Sequence, residues 1–381
     1  MSETERDAGF ELRLDGSVAP ARKVAAVQVE EDEPSTHLLT VLVPARDEEQ
    51  NLPGCMASLM AQSEPGFVLG KDWFVVVIDD DSTDGTLAIA ERFAAEHVGV
   101  QVVRARALNG GPHSATGKNA ALWQGASQDV AYTAEWLLFT DADTLHEPMS
   151  THRAVVEAER HQLGMLSYSP RQITKGLVQR ALMPLVFSEL GSKYPPKQVS
   201  DPASPIAAAN GQYMLVRRTA YYAVGGHQAV ASQVLEDVAL ARLIKRRSAI
   251  RLRYAPEAVA TRMYRTTSEM MQGWTKNLAL LFGNPLFLAA GTLLNFVLLV
   301  GLPLLPWLVP NLVFWQDAAI YLLWFRVLLR YFTRLARSHA PMADRFISVL
   351  GLPLFAYLLV RSWQQVKLAK SVTWKGREYS Q

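Results

Sequence analysis

The sequence predicts an α/β fold with a mostly parallel sheet, followed by a membrane-seeking C-terminal part. Three observations predict it. Short apolar, β-branched runs alternate with helical stretches through the first half, the pattern of strand–helix–strand units. Two of those runs end in clusters of acids, which puts chemistry at the carboxyl ends of strands, where open α/β sheets bind ligands. From position 277 to 316 there is not one charged residue, and no comparable apolar run of membrane-crossing length precedes it.

Length and composition set the outer bounds. The 381 residues accommodate one large domain or two smaller ones. A net charge of +2 gives no basic field for nucleic acid. The single cysteine, Cys55, excludes an intramolecular disulfide framework and fits a reducing compartment. Residues 1–36 are polar and partly acidic, with Glu30 to Glu33 standing before Pro34, and read as a tail outside the packed domain. They lack the basic-then-apolar order of a signal peptide. The expected organisation is a tail over 1–36, an α/β domain over 37–280 and a membrane region over 281–381.

Residues 38–43 form the first predicted strand, by length and β-branching. It runs into Pro44-Ala-Arg46-Asp47-Glu48-Glu49, whose acids suit the first turn of a helix. A second strand over 73–78 ends in Asp79, Asp80, Asp81 and Asp84. A helix over 84–97, a strand over 100–104, a glycine-rich loop over 109–117 and a helix over 118–127 follow. The strand over 136–140 then runs into Asp141-Ala142-Asp143. Positions i and i+2 of a strand share a face, so these two carboxylates are expected to converge at its exit. Crowded acids there suit a hard divalent cation bridging carboxylate and phosphate oxygens. A polar turn with a capping Asp has the same local sequence.

Neither acidic exit is followed by G-x-G-x-x-G, which disfavours a dinucleotide site built on bare backbone amides. Acids at both exits suit a nucleotide whose base and ribose meet carboxylates while its phosphates are reached through a metal. Gly117-Lys118 offers flexible backbone and a cation for a diphosphate; a solvated lysine at a helix start is the other reading. Beyond 148 come a strand over 163–168, a helix over 175–190, a proline-rich mobile loop over 193–205 and the apolar stretch 207–216. An amphipathic helix over 234–245 opens with Glu236-Asp237, a pair that equally suits a helix dipole. Residues 270–277 close the domain.

These motifs together resemble the family 2 glycosyltransferases of the GT-A (Rossmann-like) fold. The matching pieces are Val43-Pro-Ala-Arg-Asp-Glu-Glu49, Val77-Ile-Asp-Asp-Asp-Ser-Thr-Asp-Gly-Thr86, Gly117-Lys-Asn-Ala-Ala-Leu122, Asp141-Ala-Asp143 and Leu235-Glu-Asp237. They occur in the family's order over roughly 38–280. Asn210-Gly-Gln-Tyr213, Arg217-Arg218, Gly225-Gly-His227 and the terminal Val372-Thr-Trp-Lys-Gly-Arg-Glu-Tyr379 look more specifically like the hopanoid- and carotenoid-associated members. The resemblance implies that Pro44, Arg46 and Glu48 line the nucleotide pocket, with Asp79 or Asp80 on uracil and ribose and Lys118 near the diphosphate. It implies Asp141 on the ribose or sugar side and as a possible second metal ligand, Asp143 holding Mg²⁺ or Mn²⁺, and Asp237 as catalytic base. Gly211, Gln212, Glu236 and Trp274 complete the implied substrate contacts. One departure stands out: many relatives carry Q-x-x-R-W after the base, and here Met270-Met-Gln-Gly273-Trp274 keeps only the tryptophan. That weakens a reading as a processive polysaccharide synthase.

The implied reaction is metal-dependent transfer, with inversion, from a nucleotide-sugar, taken as a UDP-sugar, to a lipid or lipid-linked hydroxyl. Residues 286–307 are uncharged and long enough to span a core of roughly 30 Å. A second span over 311–329 contains Asp317 and Arg326, and 346–360, with Pro353 inside, reads as a re-entrant or interfacial segment. Arg330, Arg334, Arg337 and Arg345, then Arg361, Lys367, Lys370, Lys375 and Arg377, put loop and tail on the cytoplasmic side. That predicts two crossings of the inner membrane with the catalytic domain facing the cytoplasm. Trp374-Lys-Gly-Arg377 either returns to the active site or anchors at the surface. The competing readings are a non-catalytic nucleotide-sugar-binding scaffold and a sugar nucleotidyltransferase, the latter lacking its glycine-rich, arginine-containing phosphate loop here.

Overall fold

The structure, a computed structural model, describes residues 35–62, 64–105, 117–309, 312–369, 371–374 and 377–380. The expected tail (but for its last two residues), nearly all of the glycine-rich loop at 109–117 and the middle of the Trp374–Arg377 motif lie outside the described residues. The described chain divides into two compact units. One takes the chain up to 173 together with 196–262, the other takes 174–195 together with everything from 263 onward.

In chain order the strands are β1 His37–Ala45, β2 Trp73–Asp79, β3 Val100–Arg104, β4 Ala134–Thr140, β5 Thr144–His146, β6 Leu163–Ser169, β7 Arg171–Gln172, β8 Tyr213–Arg217, β9 Ala249–Tyr254 and β10 Val259–Thr261, with a terminal pair, β11 Ser371–Trp374 and β12 Arg377–Ser380. The helices are α1 Leu52–Met60, α2 Thr86–Glu96, α3 Gly117–Ala126, α4 Asp129–Tyr132, α5 Ser150–Arg160, α6 Gly176–Lys193, α7 Pro196–Ser200, α8 Arg218–Ala223, α9 Gly226–Ala229, α10 Glu236–Lys245, α11 Thr267–Leu281, α12 Pro285–Gly301, α13 Leu305–Leu308, α14 Phe314–Leu335 and α15 Met342–Gln364.

The first unit is built on a seven-stranded sheet in the order β3-β2-β1-β4-β8-β6-β9. β1 runs parallel to β2 and β4, β2 to β3 and β6 to β9; β8 is antiparallel to both β4 and β6. The central strands are covered on both faces, so they read as unbroken apolar runs rather than alternating ones. Val41, Leu42 and Val43, Val75 to Ile78, and Leu137 and Leu138 are fully buried. From β1 the chain builds outward to β3, then returns to place β4 on β1's other side. The order reverses there, which opens a crevice at the carboxyl ends of β1 and β4. Helix α3 is set against this sheet by Gly125: a Cβ at that position would lie 2.7 Å from Ile78 and 3.1 Å from Leu42. Only glycine permits so close an approach, and it fixes the start of α3, with Lys118, beside the crevice. A small sheet, β5-β10-β7, packs the chain that follows β4.

Three local expectations are corrected in this unit. Asp47, Glu48 and Glu49 do not open a helix; α1 begins at Leu52, and Asp47 sits in left-handed backbone (φ 50°). Their hydrogen bonds go instead to residues 82–86, as described below. Asp141 and Asp143 lie beyond β4 in a turn closed by the Thr144 N–H on the Asp141 carbonyl (3.1 Å), so the turn and not strand alternation brings them together. The stretch 193–205 is not a free loop: it contains α7, whose Val199 is fully buried. The Lys245 ammonium ties it down by donating to the carbonyls of Val199 (2.7 Å) and Ile206 (2.6 Å).

The second unit is helical. Pro285–Leu308 and Met342–Lys367 are, among the described residues, long and apolar enough to cross a membrane by length and composition. The first matches the span expected over 286–307; its Phe287, Leu294 and Val297 stand exposed. The other two expectations change. The segment 311–329 falls in α14, whose Asp317, Arg326, Arg330 and Arg334 keep it from reading as a span. The segment 346–360, expected to be re-entrant, lies inside the continuous helix α15 despite Pro353. Pro353 removes one helical N–H, and packing on α6 offsets the loss. Gly351 lies so close to the Ala181 carbonyl that a Cβ would collide with it. Arg180–Asp344 (2.7 Å) and Arg334–Glu189 (2.5 Å) bind α6 to α15 and α14.

Candidate active site

Two acidic groups sit at the ligand edge of the first unit. At the β2 exit, the chain after β1 and the chain after β2 are laced together. The Arg46 guanidinium donates to the Asp80 carbonyl at 2.9 Å and pairs with its carboxylate at 3.8 Å. Asp47 accepts the Thr83 N–H (2.8 Å), Glu49 accepts the Gly85 N–H (2.9 Å), and the Glu48 N–H donates to the Thr86 hydroxyl (2.7 Å). Glu48 in turn accepts the Asn51 amide at 2.6 Å. Asp84 accepts from the Thr86 N–H (3.0 Å) and hydroxyl (2.5 Å). Burial pushes Asp84 up, but these donors outweigh it and hold its pKa below the ordinary value. Pro44 pairs with Ile78 between β1 and β2. Asp79 is buried, with Oδ1 lacking a hydrogen-bond partner among the described residues.

The second group gathers at β4, α3, β8 and α10. The Lys118 ammonium pairs with Asp141 at 2.7 Å and Glu236 at 3.3 Å. Burial works against its charge, but the two carboxylates outweigh burial and leave it more basic than a free lysine. Gly211 lies beside it: a Cβ there would stand 3.5 Å from the ammonium and 3.6 Å from an Asp237 oxygen. The Asp237 carboxylate accepts the Gly211 N–H (3.1 Å) and its neighbour's N–H at Val238 (2.7 Å). Even so, burial and the adjacent Glu236 carboxylate push Asp237 up to about 7. Asp143 is also pushed up to about 7, by burial, Asp141 and Glu48 in that order. Its Oδ1 is buried without a hydrogen-bond partner among the described residues.

The structure therefore brings Lys118, Asp141, Gly211, Glu236 and Asp237 into one cluster, with Asp143 in the same field. Gln212 takes a different place. It is buried, its carbonyl accepts the Thr140 (2.9 Å) and Thr144 (3.3 Å) hydroxyls, and its amide donates to Thr261 (3.1 Å). Thr261 donates on to the Asp143 carbonyl (3.3 Å), so Gln212 and Thr261 set the turn that carries Asp143. Trp274 belongs to the second unit, where it is buried, edge-on to Phe187 and with its N–H 3.4 Å from the Met183 sulfur. Thr261 and Asn119 are site-supporting residues that sequence reasoning missed. Asn119 stood inside the quoted Gly117–Leu122 motif but carried no assigned role, and Thr261 has no local signal.

Burial also governs His146, His227 and Cys55. It drives His146 and His227 down to about 3, so both are neutral at working pH and neither accepts a proton readily. Cys55 is buried, and its thiol is raised far from thiolate formation by burial and by Asp143, Asp141 and Glu48.

Residues 40–225 match the family model described as Glycosyl transferase family 2. This chain carries a family 2 glycosyltransferase domain. Among similar proteins is a 4,4'-diaponeurosporenoate glycosyltransferase from Staphylococcus aureus (strain MRSA252). It is 28% identical over 362 residues, covering 90% of this chain and 88% of that one. The protein of the same name from Staphylococcus haemolyticus (strain JCSC1435) is 25% identical over 364 residues, with 91% and 89% covered. Among solved structures, a mannosyltransferase from Pyrobaculum calidifontis superposes with a TM-score of 0.49 at 16% identity, covering 89% of this chain and 90% of that one. The α/β sheet and its glycosyltransferase activity agree with the reading from sequence. The acids of the β2 exit, the Asp141–Asp143 turn and Lys118 all fall inside the matched region, while Asp237 lies just beyond it.

Proposed function

We propose that this glycosyltransferase moves a sugar from a nucleotide-sugar, taken as a UDP-sugar, to an apolar, membrane-resident acceptor with inversion at the anomeric carbon. The observation that carries the proposal is the pair of carboxylates, Asp143 and Asp237, held near neutrality by burial and neighbouring acids beside the Lys118 ammonium. A general base works best with a pKa near the operating pH, and Asp237 has one. Its carboxylate takes the proton of the acceptor hydroxyl. The acceptor oxygen then bonds to the anomeric carbon as the bond from that carbon to the diphosphate oxygen breaks. One base and one displacement give inversion.

Asp143 fits a resident divalent cation, Mg²⁺ or Mn²⁺. Its buried, unpartnered Oδ1 and the acids crowding it form a site that a cation would relieve. Such an ion would neutralise charge developing on the leaving diphosphate. Asp141 already engages Lys118 through Oδ1, so its part in holding the cation is secondary. Lys118 orients the diphosphate side, while Pro44, Arg46, Glu48, Asp79 and Asp80 line the nucleotide side.

The acceptor reading draws on the name of the staphylococcal relatives, which act on 4,4'-diaponeurosporenoate, and on the exposed apolar side chains of α12. The basic residues at 361–377, past the second apolar helix, favour a cytoplasmic tail, and two crossings by Pro285–Leu308 and Met342–Lys367 would put the catalytic domain on that same side. The relatives' substrate name is that of a carboxylate, which favours a second reading in which the acceptor arrives ionised and needs no base. Asp237→Asn separates the two. With purified full-length protein in detergent, a hydroxyl acceptor predicts loss of turnover and an inverted product anomer by NMR. Retained turnover removes Asp237 as base, and a retained configuration overturns the single displacement.

A further inference from the structure

Helix α10 carries the proposed base in its first turn, yet its start has no side-chain cap. Its N-cap is Leu235, which offers no side-chain hydrogen bond to the free N–H groups. The chain just before it, 230–233, is a tight turn closed by the Gln233 N–H on the Val230 carbonyl (2.9 Å). One side chain from another element grips this turn. Asn119, fully enclosed in α3, directs its amide at the carbonyls of Val230 (3.1 Å), Ala231 (3.2 Å) and Gln233 (3.1 Å). The residue beside it, Lys118, holds Glu236 at 3.3 Å. Two adjacent side chains of α3 therefore hold both the approach to α10 and its first residue, and α3 is itself fixed on the sheet by Gly125.

We infer that Asn119 is a positioning residue: its carboxamide holds the 230–233 turn and so sets the place of Asp237 in the site. The inference rests on the reading of Asp237 as base only for its effect on rate; the grip on the turn is independent of that reading. An amide has two N–H groups and here three carbonyls to serve, so the turn is held as a unit and not at a single atom. Loss of the grip frees the chain before α10 without touching Lys118, Asp141 or the nucleotide side.

The test uses full-length protein in detergent. Hydrogen–deuterium exchange is followed at the amides of Gln233, Val238 and Ala239, and UDP release is measured with UDP-glucose as the probe donor. Asn119→Ala removes the grip, and Asn119→Asp keeps the size but replaces the donors with a carboxylate facing carbonyls. Exchange at those three amides is expected to rise about tenfold or more relative to the β1 and β4 amides. The turnover number should fall by about tenfold to a hundredfold with the donor KM nearly unchanged, the scale on which misplacing a group lowers rate. Unchanged local exchange in both variants overturns the inference, as does a rise shared equally by the whole domain. Should neither variant fold, the wild-type protein decides: the three amides must exchange more slowly than exposed loops, and free exchange overturns the grip. If Asp237→Asn keeps turnover while the Asn119 variants loosen the turn, the base reading falls and the positioning stands.

Discussion

The acids at the β2 exit and those at β4 and α10 are the same residue types on the same edge of one sheet, and they meet opposite surroundings. At the β2 exit most carboxylates are answered by a donor: Asp47 by Thr83, Glu49 by Gly85, Asp84 by Thr86, Asp80 by Arg46. Donors favour the charged form, and Asp84 is held below its usual range. At β4 and α10 the carboxylates outnumber their donors. Four acids, Asp141, Asp143, Glu236 and Asp237, share the Lys118 ammonium and a few N–H groups, so Asp143 and Asp237 are pushed up. An acid answered by donors holds structure; an acid crowded by other acids is poised to take a proton or a cation.

The largest expected break in this contrast is Asp237→Asn. Removing a general base should lower the turnover number by about 10²–10⁴ on a hydroxyl acceptor while donor binding persists, as steady-state kinetics would show. Asp143→Asn comes next. Loss of one stabiliser of leaving-group charge should cost about 10²–10³ in rate, and the variant should lose any rise in melting temperature on adding Mn²⁺.

The pH dependence of stability sharpens the same contrast, because the signs differ. Asp143 and Asp237 are raised in the folded state, so their contribution is complete below the ordinary carboxylate range and is lost as pH rises toward about 7. Asp84 is depressed, so its contribution is present above that range and lost as pH falls through its folded value. Metal-free protein should therefore melt highest in mild acid. Mn²⁺ should restore the neutral side by favouring ionised Asp143, with little effect in acid. The smallest effect belongs to Asp84→Ala. Its lost hydrogen bonds should cost about 1–2 kcal/mol of stability in a denaturant melt, with the turnover number nearly unchanged.

Much of this was legible in the sequence, for reasons that particular residues show. β1, β2 and β4 are buried on both faces, so apolar runs bounded by acids gave them away. The pairing of Lys118 with Asp141 and Glu236 was within reach because each lies in a short motif. The antiparallel β8 was not, since its neighbours β4 and β6 are fixed by long-range packing and the run at 207–216 says nothing of direction. The acids at 47–49 resembled a helix start because sequence cannot show that their partners lie at 83–86. Gln212 looked like a substrate contact; only the fold shows its carbonyl and amide bound to Thr140, Thr144 and Thr261. Asn119 was invisible because its three carbonyl partners lie more than a hundred residues away. Pro353 argued for a broken segment, and packing at Gly351 overrides it.

The most direct test of the central claim is release of nucleoside diphosphate from a panel of nucleotide sugars by full-length protein in detergent. It is measured with and without Mn²⁺, in the wild type and in Asp143→Asn. Metal-dependent release from one donor by the wild type, absent in the variant, is the predicted result. Release at the same rate in both proteins with a chelator present would contradict it.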